Sequence, residues 1–465
     1  MISDSASCQI TAYHVFGPQA QNSSGLYTNV DGGHLYGRPL LVNNVLYGTT
    51  TGDDQGALGG LWRINADGTG FTNFFFFTFL TSNTISGSAA FGGLVESGGV
   101  LYGTTRNGGT NFTGSIFAIN TDGTHFTNIY NFSALASAGT NSDGAYPDVG
   151  FVLSNGVLYG TAYQGGAYGV GTVYRVNVDG TGFTNLWSFN GTNGAKPEAP
   201  LTLVNGVLYG TTTTGGVGSS TNGVVFGVNI DGTGFTNLHY FSQLGYPAMT
   251  NYDGANPQSG VLFLNGLLYG LAPRGGMPGA GYGTLYSVST NGLSFNPVHY
   301  FDFTHGASPY SDLFYTNGTL YGTTPGGGPH STGIIFQIQP DGSGFVDLAQ
   351  FPKVAFNGIS ASTNSVGAEP WAGVILANNA LVGVTPSGGS GGLGTIFALP
   401  ISISAPVSLT TSLSGGSLVF TWPDPSYSLQ FSPALGTPFS NIVGAVSGAT
   451  IPTTNSQGFF RLVGP

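Results

Sequence analysis

One short cassette recurs along most of this 465-residue chain. In its clearest copy, residues 205–241, it reads NGVLYGTTTTGG and then GVVFGVNIDGTGFTNLHYF. The tyrosine of the Leu-Tyr-Gly element marks each copy, and successive markers lie between 50 residues (159 to 209) and 61 residues (321 to 382) apart. The markers are Tyr47, Tyr102, Tyr159, Tyr209, Tyr269, Tyr321 and a degenerate Val382. Seven copies of one unit restrict the chain to a repeat architecture.

Each copy predicts four antiparallel strands. In the third copy the first strand ends at an Asn155-Gly156 turn, a strong hairpin signal, and the Leu-Tyr-Gly strand follows. A glycine-rich loop leads to a third strand at 171–177, and an Asp179-Gly180 turn leads to a fourth at 183–189. A radial arrangement of such meanders limits exposed sheet edges. We therefore predict an all-β chain that forms a seven-bladed β-propeller.

The seventh copy lacks its fourth strand, and the start of the chain resembles the missing piece. After Phe397 there is no Asp-Gly turn, whereas residues 10–16 (ITAYHVF) match the outer strand at 235–241 (FTNLHYF). We predict that residues 10–16 complete the last blade by pairing with residues 394–399, so that the ring closes. His14, His239 and His299 share one position in this outer strand and are interpreted as packing residues.

The predicted domains are 1–400 for the propeller and 401–465 for a small β-sandwich of the immunoglobulin or fibronectin type. Beyond Pro400 the cassette stops, and alternating apolar residues such as Leu418, Phe420 and Trp422 predict short strands. No run of residues approaches the length of a membrane span. The single cysteine, Cys8, excludes an internal disulfide.

Charge is scarce and limits the classes of partner. Only 6% of the residues are charged, the formal net charge is −11, and Lys and Arg together number 8. Nucleic-acid binding requires a concentrated basic surface, which this composition excludes. No cofactor motif is present, because no lysine follows the double glycines as it would in a phosphate-binding loop. No metal motif is present either, so neither a cofactor nor a metal is predicted.

The cassette NGVLYGTT followed by GG, and then a Gly-Thr-Val-aromatic strand and DGTGFTNL, resembles the GloVer tandem-repeat family. The resemblance covers roughly residues 31–400. It implies export and display at the surface of a bacterium, and it implies no particular activity. Two copies depart from the pattern, at Asn291-Gly292 in place of Asp-Gly and at LVG in residues 381–383.

Candidate ligand residues are expected where the innermost strands begin, because the loops of that face vary in length between copies. Thirteen residues before each marker lie seven residues that we name the rim set: His34, Ala89, Tyr146, Lys196, Asn256, Ser308 and Glu369. A ring of His34, Tyr146, Lys196, Asn256 and Glu369 has the polar variety of a ligand pocket. The alternative is that these are solvated loop residues.

The same face carries Arg106 and Arg274, each just before a double glycine, and His305. Arginine can hold a carboxylate or stack on a sugar or aromatic ring, or it can bond a loop carbonyl; both interpretations stay open. His305 and His330 share a blade, but two histidines without further ligands do not make a zinc site.

Three functions follow as hypotheses. The first is a secreted or cell-surface propeller that binds a glycan or an extracellular protein through this variable face. The second is a polysaccharide-acting enzyme, in the form of a lyase with Tyr146 or His34 as the base and Lys196, Arg106 or Arg274 neutralising a uronate carboxylate. The third is a structural subunit that self-associates.

Overall fold

The structure is a computed structural model that divides into two compact units, residues 1–401 and residues 402–465. It describes residues 9–18, 20–21, 27–28, 31–52, 58–81, 84–218, 221–247, 249–276, 281–356, 362–401, 409–414, 417–422, 428–432, 440–442, 446–447, 449–452 and 459–463. Throughout these ranges the regular structure is β, with no α-helix.

Seven four-stranded antiparallel sheets form the seven predicted blades of a β-propeller. Blades 1 to 6 each take four strands in chain order, from the innermost to the outermost. Their strands are Leu40–Val42, Val45–Thr50, Gly60–Asn65 and Thr72–Phe76; Val95–Ser97, Val100–Thr105, Ser115–Asn120 and Thr127–Asn131; Val152–Ser154, Val157–Ala162, Thr172–Asn177 and Thr184–Ser188; Thr202–Val204, Val207–Thr212, Val224–Asn229 and Thr236–Tyr240; Leu262–Leu264, Leu267–Ala272, Thr284–Ser289 and Phe295–Tyr300; Phe314–Thr316, Thr319–Thr324, Ile334–Ile338 and Val346–Gln350.

Blade 7 is completed by the N-terminal segment, as predicted. Its inner strands are Ile375–Ala377, Ala380–Thr385 and Thr395–Pro400, and the outer strand is Thr11–Val15. The register places Thr11 opposite Ala398 and Val15 opposite Thr395. Phe16, which follows this strand, is fully buried. The last blade therefore depends on both ends of the propeller sequence.

The hydrophobic core lies between blades rather than at one centre. Seven apolar clusters each join residues of two neighbouring blades. One of them contains Leu46 and Trp62 of blade 1 together with Val382 and Ile396 of blade 7. Because first and last blades share a core, the ring is closed.

Side-chain contacts explain two recurring positions of the cassette, the histidine of the outer strand and the aspartate of the Asp-Gly turn. His14, His239 and His299 stack on the phenylalanine of the next blade, with ring centroids 3.4, 3.7 and 4.1 Å from those of Phe71, Phe295 and Phe345. Their interpretation as packing residues is confirmed. In the Asp-Gly turns the carboxylate accepts hydrogen bonds from the residue two positions on; Asp179 accepts from the Thr181 backbone N–H at 2.9 Å.

The glycine of the Leu-Tyr-Gly element makes room for the aromatic residue of the next strand. A Cβ added to Gly103 would lie 2.5 Å from Cζ of Phe117 and 2.8 Å from Cδ2 of Leu94. We expect Gly103→Ala to lower the free energy of unfolding by about 1–3 kcal/mol, because overpacked cores must shift. Denaturant unfolding measures this. Gly245→Ala, at an exposed site where the added Cβ lies 3.3 Å from its nearest neighbour, should change stability little; equal losses in the two variants would contradict the explanation.

Shorter sheets complete the first unit: Phe79–Thr81, Thr84–Ser88 and Asn107–Gly109, and the pairs Ala20–Gln21 with Tyr27–Thr28 and Ala355–Phe356 with Ser362–Thr363. The second unit contains two three-stranded sheets, Thr410–Ser414, Ser417–Thr421 and Ala449–Pro452, and Ser428–Ser432, Ser440–Asn441 and Phe459–Val463. Phe420, Trp422 and Leu429 form its buried core. The sandwich type of this unit stays a prediction.

Candidate functional site

The propeller axis holds a cavity of about 790 Å³ that all seven blades line. The lining comes from the segments that lead into the innermost strands and from the first residues of those strands. Each strand ends in a tight turn on the opposite face of the ring, as at Asn155 and Gly156. The cavity therefore belongs to the variable face, where the sequence predicts a ligand site.

Seven lining residues occupy one register position, eleven residues before each marker. We name them the channel ring. It consists of Tyr36, Phe91, Asp148, Glu198, Gln258, Tyr310 and Trp371. The ring is split by chemistry. Blades 6, 7, 1 and 2 contribute four aromatic residues in succession, and blades 3, 4 and 5 contribute two acids and an amide.

The aromatic half is a continuous surface. The ring centroids of Tyr310 and Trp371 are 4.4 Å apart and the rings are nearly parallel, at 16°. Trp371 and Tyr36 meet edge to face at 6.1 Å, and Tyr36 and Phe91 are 5.3 Å apart. Trp371 remains 36% exposed, so part of this apolar surface is open to a ligand.

The polar half is dominated by Asp148. Its Oδ2 accepts a 2.9 Å hydrogen bond from the Arg106 guanidinium, and the side chain is 9% exposed. Burial raises the pKa of Asp148 to about 7, although Arg106 opposes this, and the nearby charge of Glu198 raises the pKa further. Oδ1 of Asp148 has no hydrogen-bond partner among the described residues. Glu198 accepts a 2.7 Å hydrogen bond from the Thr213 hydroxyl.

Below the channel ring, Arg38 of blade 1 and Asp312 of blade 6 face the cavity. The Arg38 guanidinium lies 5.8 Å from the Phe314 ring centroid, so it reaches across to blade 6. Burial raises the pKa of Asp312, and both Arg38 and a hydrogen bond from the Gly260 N–H oppose the rise. The two charges therefore stabilise each other within the channel. Deeper still, the lining turns apolar, with Leu40, Val95, Leu262, Phe314 and Ile375.

The rim set lies two residues before the channel ring, and the described cavity lining contains none of its members. All seven rim residues have left-handed backbone conformations, with φ from 54° to 59°. Each donates its backbone N–H to a carbonyl in the glycine-rich loop of the preceding blade, at 2.7 to 3.2 Å. The rim residues thus join neighbouring blades through their backbone, and ligand binding by their side chains stays a prediction.

The side chains of the rim set have varied surroundings. His34 lies with Nδ1 3.0 Å from the Pro386 carbonyl oxygen, and Asn256 donates to the Thr213 carbonyl at 2.9 Å. The Lys196 ammonium lies 5.3 Å from the Tyr163 ring centroid, on a ring that Arg106 also approaches, at 5.4 Å. Exposed Glu369 accepts a hydrogen bond from the Ser387 hydroxyl at 3.2 Å, and Tyr146 is half-buried.

Of the three loop candidates, Arg106 lines the cavity and approaches Phe91 as well as Asp148. Arg274 is exposed, and its hydrogen bond to the Tyr310 hydroxyl opposes the rise in that residue's pKa that burial causes. His305 lies outside the cavity and pairs with Asp302 at 3.0 Å, which raises the pKa of the imidazole. The structure thus brings Arg106 and Arg274 to the channel ring and leaves His305 apart.

The sequence interpretation missed the channel ring itself. A signal was present, because Asp148, Glu198 and Gln258 each follow a proline by one position, after Pro147, Pro197 and Pro257. Alternation of side chains does not separate the two sets, because the rim residues lie two positions earlier; the left-handed backbone at the rim residues interrupts the extended segment and separates them.

The buried Asp148 predicts a distinct pH dependence. The folded protein keeps a proton on Asp148 at pH values where the unfolded chain, with a pKa of 3.8, has lost it. This group's contribution to the free energy of unfolding therefore falls as the pH rises from about 4 to about 7. We expect Asp148→Asn to gain stability relative to the wild type across that range, by up to a few kcal/mol at about 1.4 kcal/mol per pKa unit.

Denaturant unfolding at pH 5 and pH 8 tests this expectation. Asp179→Asn is the matched control, because hydrogen bonds from Thr181 hold the pKa of Asp179 below its usual value. The stabilising contribution of Asp179 is lost only as the pH falls below its unfolded pKa of 3.8, so between pH 5 and pH 8 the stability difference between its variant and the wild type should stay constant. A flat difference between wild type and Asp148→Asn would contradict the burial of this carboxyl.

Two absences apply to the described part of the chain. It contains no group of three or more His, Cys, Asp or Glu side chains arranged to hold a metal ion. It also contains no helix long and apolar enough to cross a membrane.

Solved structures similar to this chain share little sequence with it. They include a nidogen/laminin complex (14% identity, 63% of this chain and 90% of that chain, TM-score 0.36). A GH74 enzyme of Niastella koreensis matches at 13% identity over 94% of this chain and 74% of that chain, with a TM-score of 0.46. TolB from Acinetobacter baumannii matches at 11% identity over 62% and 58%, with a TM-score of 0.34. Likenesses this distant carry no argument about what this chain does.

No curated protein matches the chain. A family model does: the Gloeobacter/Verrucomicrobia repeat matches residues 17–217, 213–362 and 280–417. These matches span most of the chain and every blade strand except the N-terminal strand of blade 7, which confirms the resemblance seen in the cassette. The chain belongs to the Gloeobacter/Verrucomicrobia repeat family.

Proposed function

We propose that this protein is an extracellular binding propeller whose ligand is a saccharide held in the axial cavity. The observation that carries the proposal is the division of the channel ring into an aromatic half and a polar half. A sugar ring has apolar C–H faces and a polar edge of hydroxyl groups, so it presents the complementary division. The aromatic rings offer large rigid surfaces, and the acids and the amide accept hydrogen bonds.

The dimensions of the site support a small ligand or the end of a larger one. Small-molecule sites commonly occupy roughly 300–1,000 Å³, and this cavity has about 790 Å³. Donors are also available for sugar hydroxyls, since Nε of Arg38 has no partner among the described residues and Gln258 carries an amide. An extracellular location is part of the proposal and is supported by the family resemblance and the low charge.

A glycan array tests the proposal. We expect a restricted set of saccharides to bind, with dissociation constants then measured by calorimetry. Secretion is tested separately by fractionating cells of the source organism and detecting the protein with an antibody. Absence of binding to every saccharide, with the protein shown to be folded, would overturn the function.

Asp148 favours a second candidate function, acid–base chemistry on a glycan. A carboxyl with a pKa near 7 can hold a proton at neutral pH, and Glu198 of the next blade supplies a second carboxyl group nearby. Release of new reducing ends from a bound polysaccharide, lost in Asp148→Asn, would support hydrolysis. An unsaturated product would instead support the lyase alternative, in which Arg106, Lys196 or Arg274 neutralises a uronate. Stable binding without any product would leave the binding function alone.

A further inference from the structure

We propose that the saccharide entering the cavity carries a protonated amine, so that the ligand class is amino sugars rather than neutral sugars or uronates. This inference rests on the proposed function and names its ligand class. It derives from the balance of charges that face the cavity, from the aromatic half of the channel ring, and from one unsatisfied carboxylate oxygen.

The charges facing the cavity do not cancel. Among the described lining residues there are three carboxyl groups and two guanidinium groups. Arg106 is bound to Asp148 at 2.9 Å, and Arg38 interacts with Asp312. Glu198 is left with a neutral partner, the hydroxyl of Thr213. When Asp148 has also lost its proton, above its pKa of about 7, the cavity has one excess negative charge, which favours a cation and disfavours a uronate carboxylate.

The cations at the rim do not compensate for this excess. Lys196 and Arg274 are both absent from the described lining. The Lys196 ammonium faces the Tyr163 ring, and Arg274 bonds the Tyr310 hydroxyl. Lys196 therefore faces an aromatic ring, and Arg274 meets the channel ring at Tyr310 of blade 6, whereas the carboxylate of Glu198 lies on blade 4.

The aromatic half adds a second attraction for a cation. An ammonium group within about 6 Å of an aromatic ring face is attracted by the ring quadrupole. Trp371, Tyr310, Tyr36 and Phe91 line half of the ring, and Trp371, the strongest ring type for this interaction, keeps an open surface. An amine on a sugar stacked against these rings would face the acids across the cavity.

Asp148 supplies an acceptor that needs a donor. Its carboxyl is about nine-tenths buried, Oδ2 is occupied by Arg106, and Oδ1 has no partner among the described residues. A buried carboxylate oxygen without a hydrogen bond is costly, and a donor from a charged group stabilises it most. A ligand ammonium could donate to Oδ1 of Asp148 and also pair with the carboxylate of Glu198.

Calorimetry with four trisaccharides tests the inference: those of glucosamine, N-acetylglucosamine, glucose and galacturonate. We expect the glucosamine trisaccharide to bind about tenfold or more tightly than the other three at low ionic strength, with the advantage reduced by salt. Glu198→Gln keeps the shape and the Thr213 contact, and it should bring the glucosamine and N-acetylglucosamine affinities to within about threefold of each other.

Glu96→Gln is the matched control. Glu96 lies on the innermost strand of blade 2, where its carboxylate accepts a hydrogen bond from the Gly99 N–H in the tight turn, away from the cavity lining. The Glu96→Gln substitution removes the same charge and should leave the preference for the glucosamine trisaccharide unchanged. An equal loss in both variants would mean that general protein charge, rather than Glu198, sets the preference.

The outcomes separate the two levels of proposal. Equal or tighter binding of the acetylated, neutral or acidic trisaccharide overturns the amino-sugar inference and leaves saccharide binding intact. Binding on the array to neutral or acidic glycans alone also overturns the amino-sugar inference and leaves saccharide binding intact. No binding to any saccharide, by the array or by calorimetry, overturns the proposed function as well.

Discussion

A chain that lacks residues 1–17 is expected to fail to fold into a stable monomer. The deletion removes the outer strand Thr11–Val15 and leaves the strand Thr395–Pro400 as an open edge in blade 7. It also removes fully buried Phe16 from the cluster that joins blades 7 and 1. Replacing a buried phenylalanine by alanine alone costs about 3–5 kcal/mol, a large part of the roughly 5–15 kcal/mol of a typical domain.

Thermal unfolding and light scattering measure the effect of the deletion. A chain that starts at residue 9 is the matched control, because it keeps every described contact of the strand and should unfold as the full chain does. Phe16→Ala should lie between the two. A synthetic peptide of residues 9–17 added in trans should restore part of the lost stability. Identical unfolding of the 1–17 deletion and the full chain would mean that the N-terminal strand does not close the ring.

The second large effect concerns ligand binding. Trp371→Ala is expected to weaken binding of an array-selected saccharide by about 2 kcal/mol or more, which is about 30-fold in Kd. Trp371 stacks on Tyr310 and meets Tyr36, so its loss interrupts the aromatic half of the channel ring. The side chain is 36% exposed, so the variant should keep the fold.

Calorimetry on the folded variant measures this loss. Tyr168→Ala is the control, because Tyr168 is 61% exposed on blade 3 and lies outside the axial cavity. It should bind as the wild type does. If Tyr168→Ala lost the binding and Trp371→Ala kept it, the saccharide site would lie at the outer edge of blade 3.

The sequence predicted the fold closely because the signals that determine it are local and repeated. Asn-Gly and Asp-Gly turns fix the hairpins, and the constant spacing within each copy fixes the blade. The N-terminal outer strand of blade 7 could be predicted because residues 10–16 carry the same pattern as residues 235–241. The strand positions of one copy therefore predicted those of the other copies.

The site was harder to predict, because its position depends on a left-handed backbone conformation that the residue types at those positions do not indicate. The backbone φ is positive at four of the candidates, His34, Tyr146, Lys196 and Glu369. Residues other than glycine and asparagine seldom occupy this left-handed region. That turn places the residue two positions later on the axis, at Asp148 and its equivalents. Pairings across blades, such as Arg38 reaching Phe314, depend on the closed ring and have no local sequence signal.

The most direct test of saccharide binding at the channel ring is tryptophan emission during titration with an array-selected saccharide. Trp371 lines the cavity, whereas Trp62 is fully buried between blades 7 and 1. Trp371→Phe keeps an aromatic surface for stacking and removes this fluorophore. We predict that the saccharide shifts the emission of the wild type and not that of Trp371→Phe, while calorimetry still detects binding by the variant. A full emission shift that persists in Trp371→Phe would place the saccharide elsewhere and contradict the account.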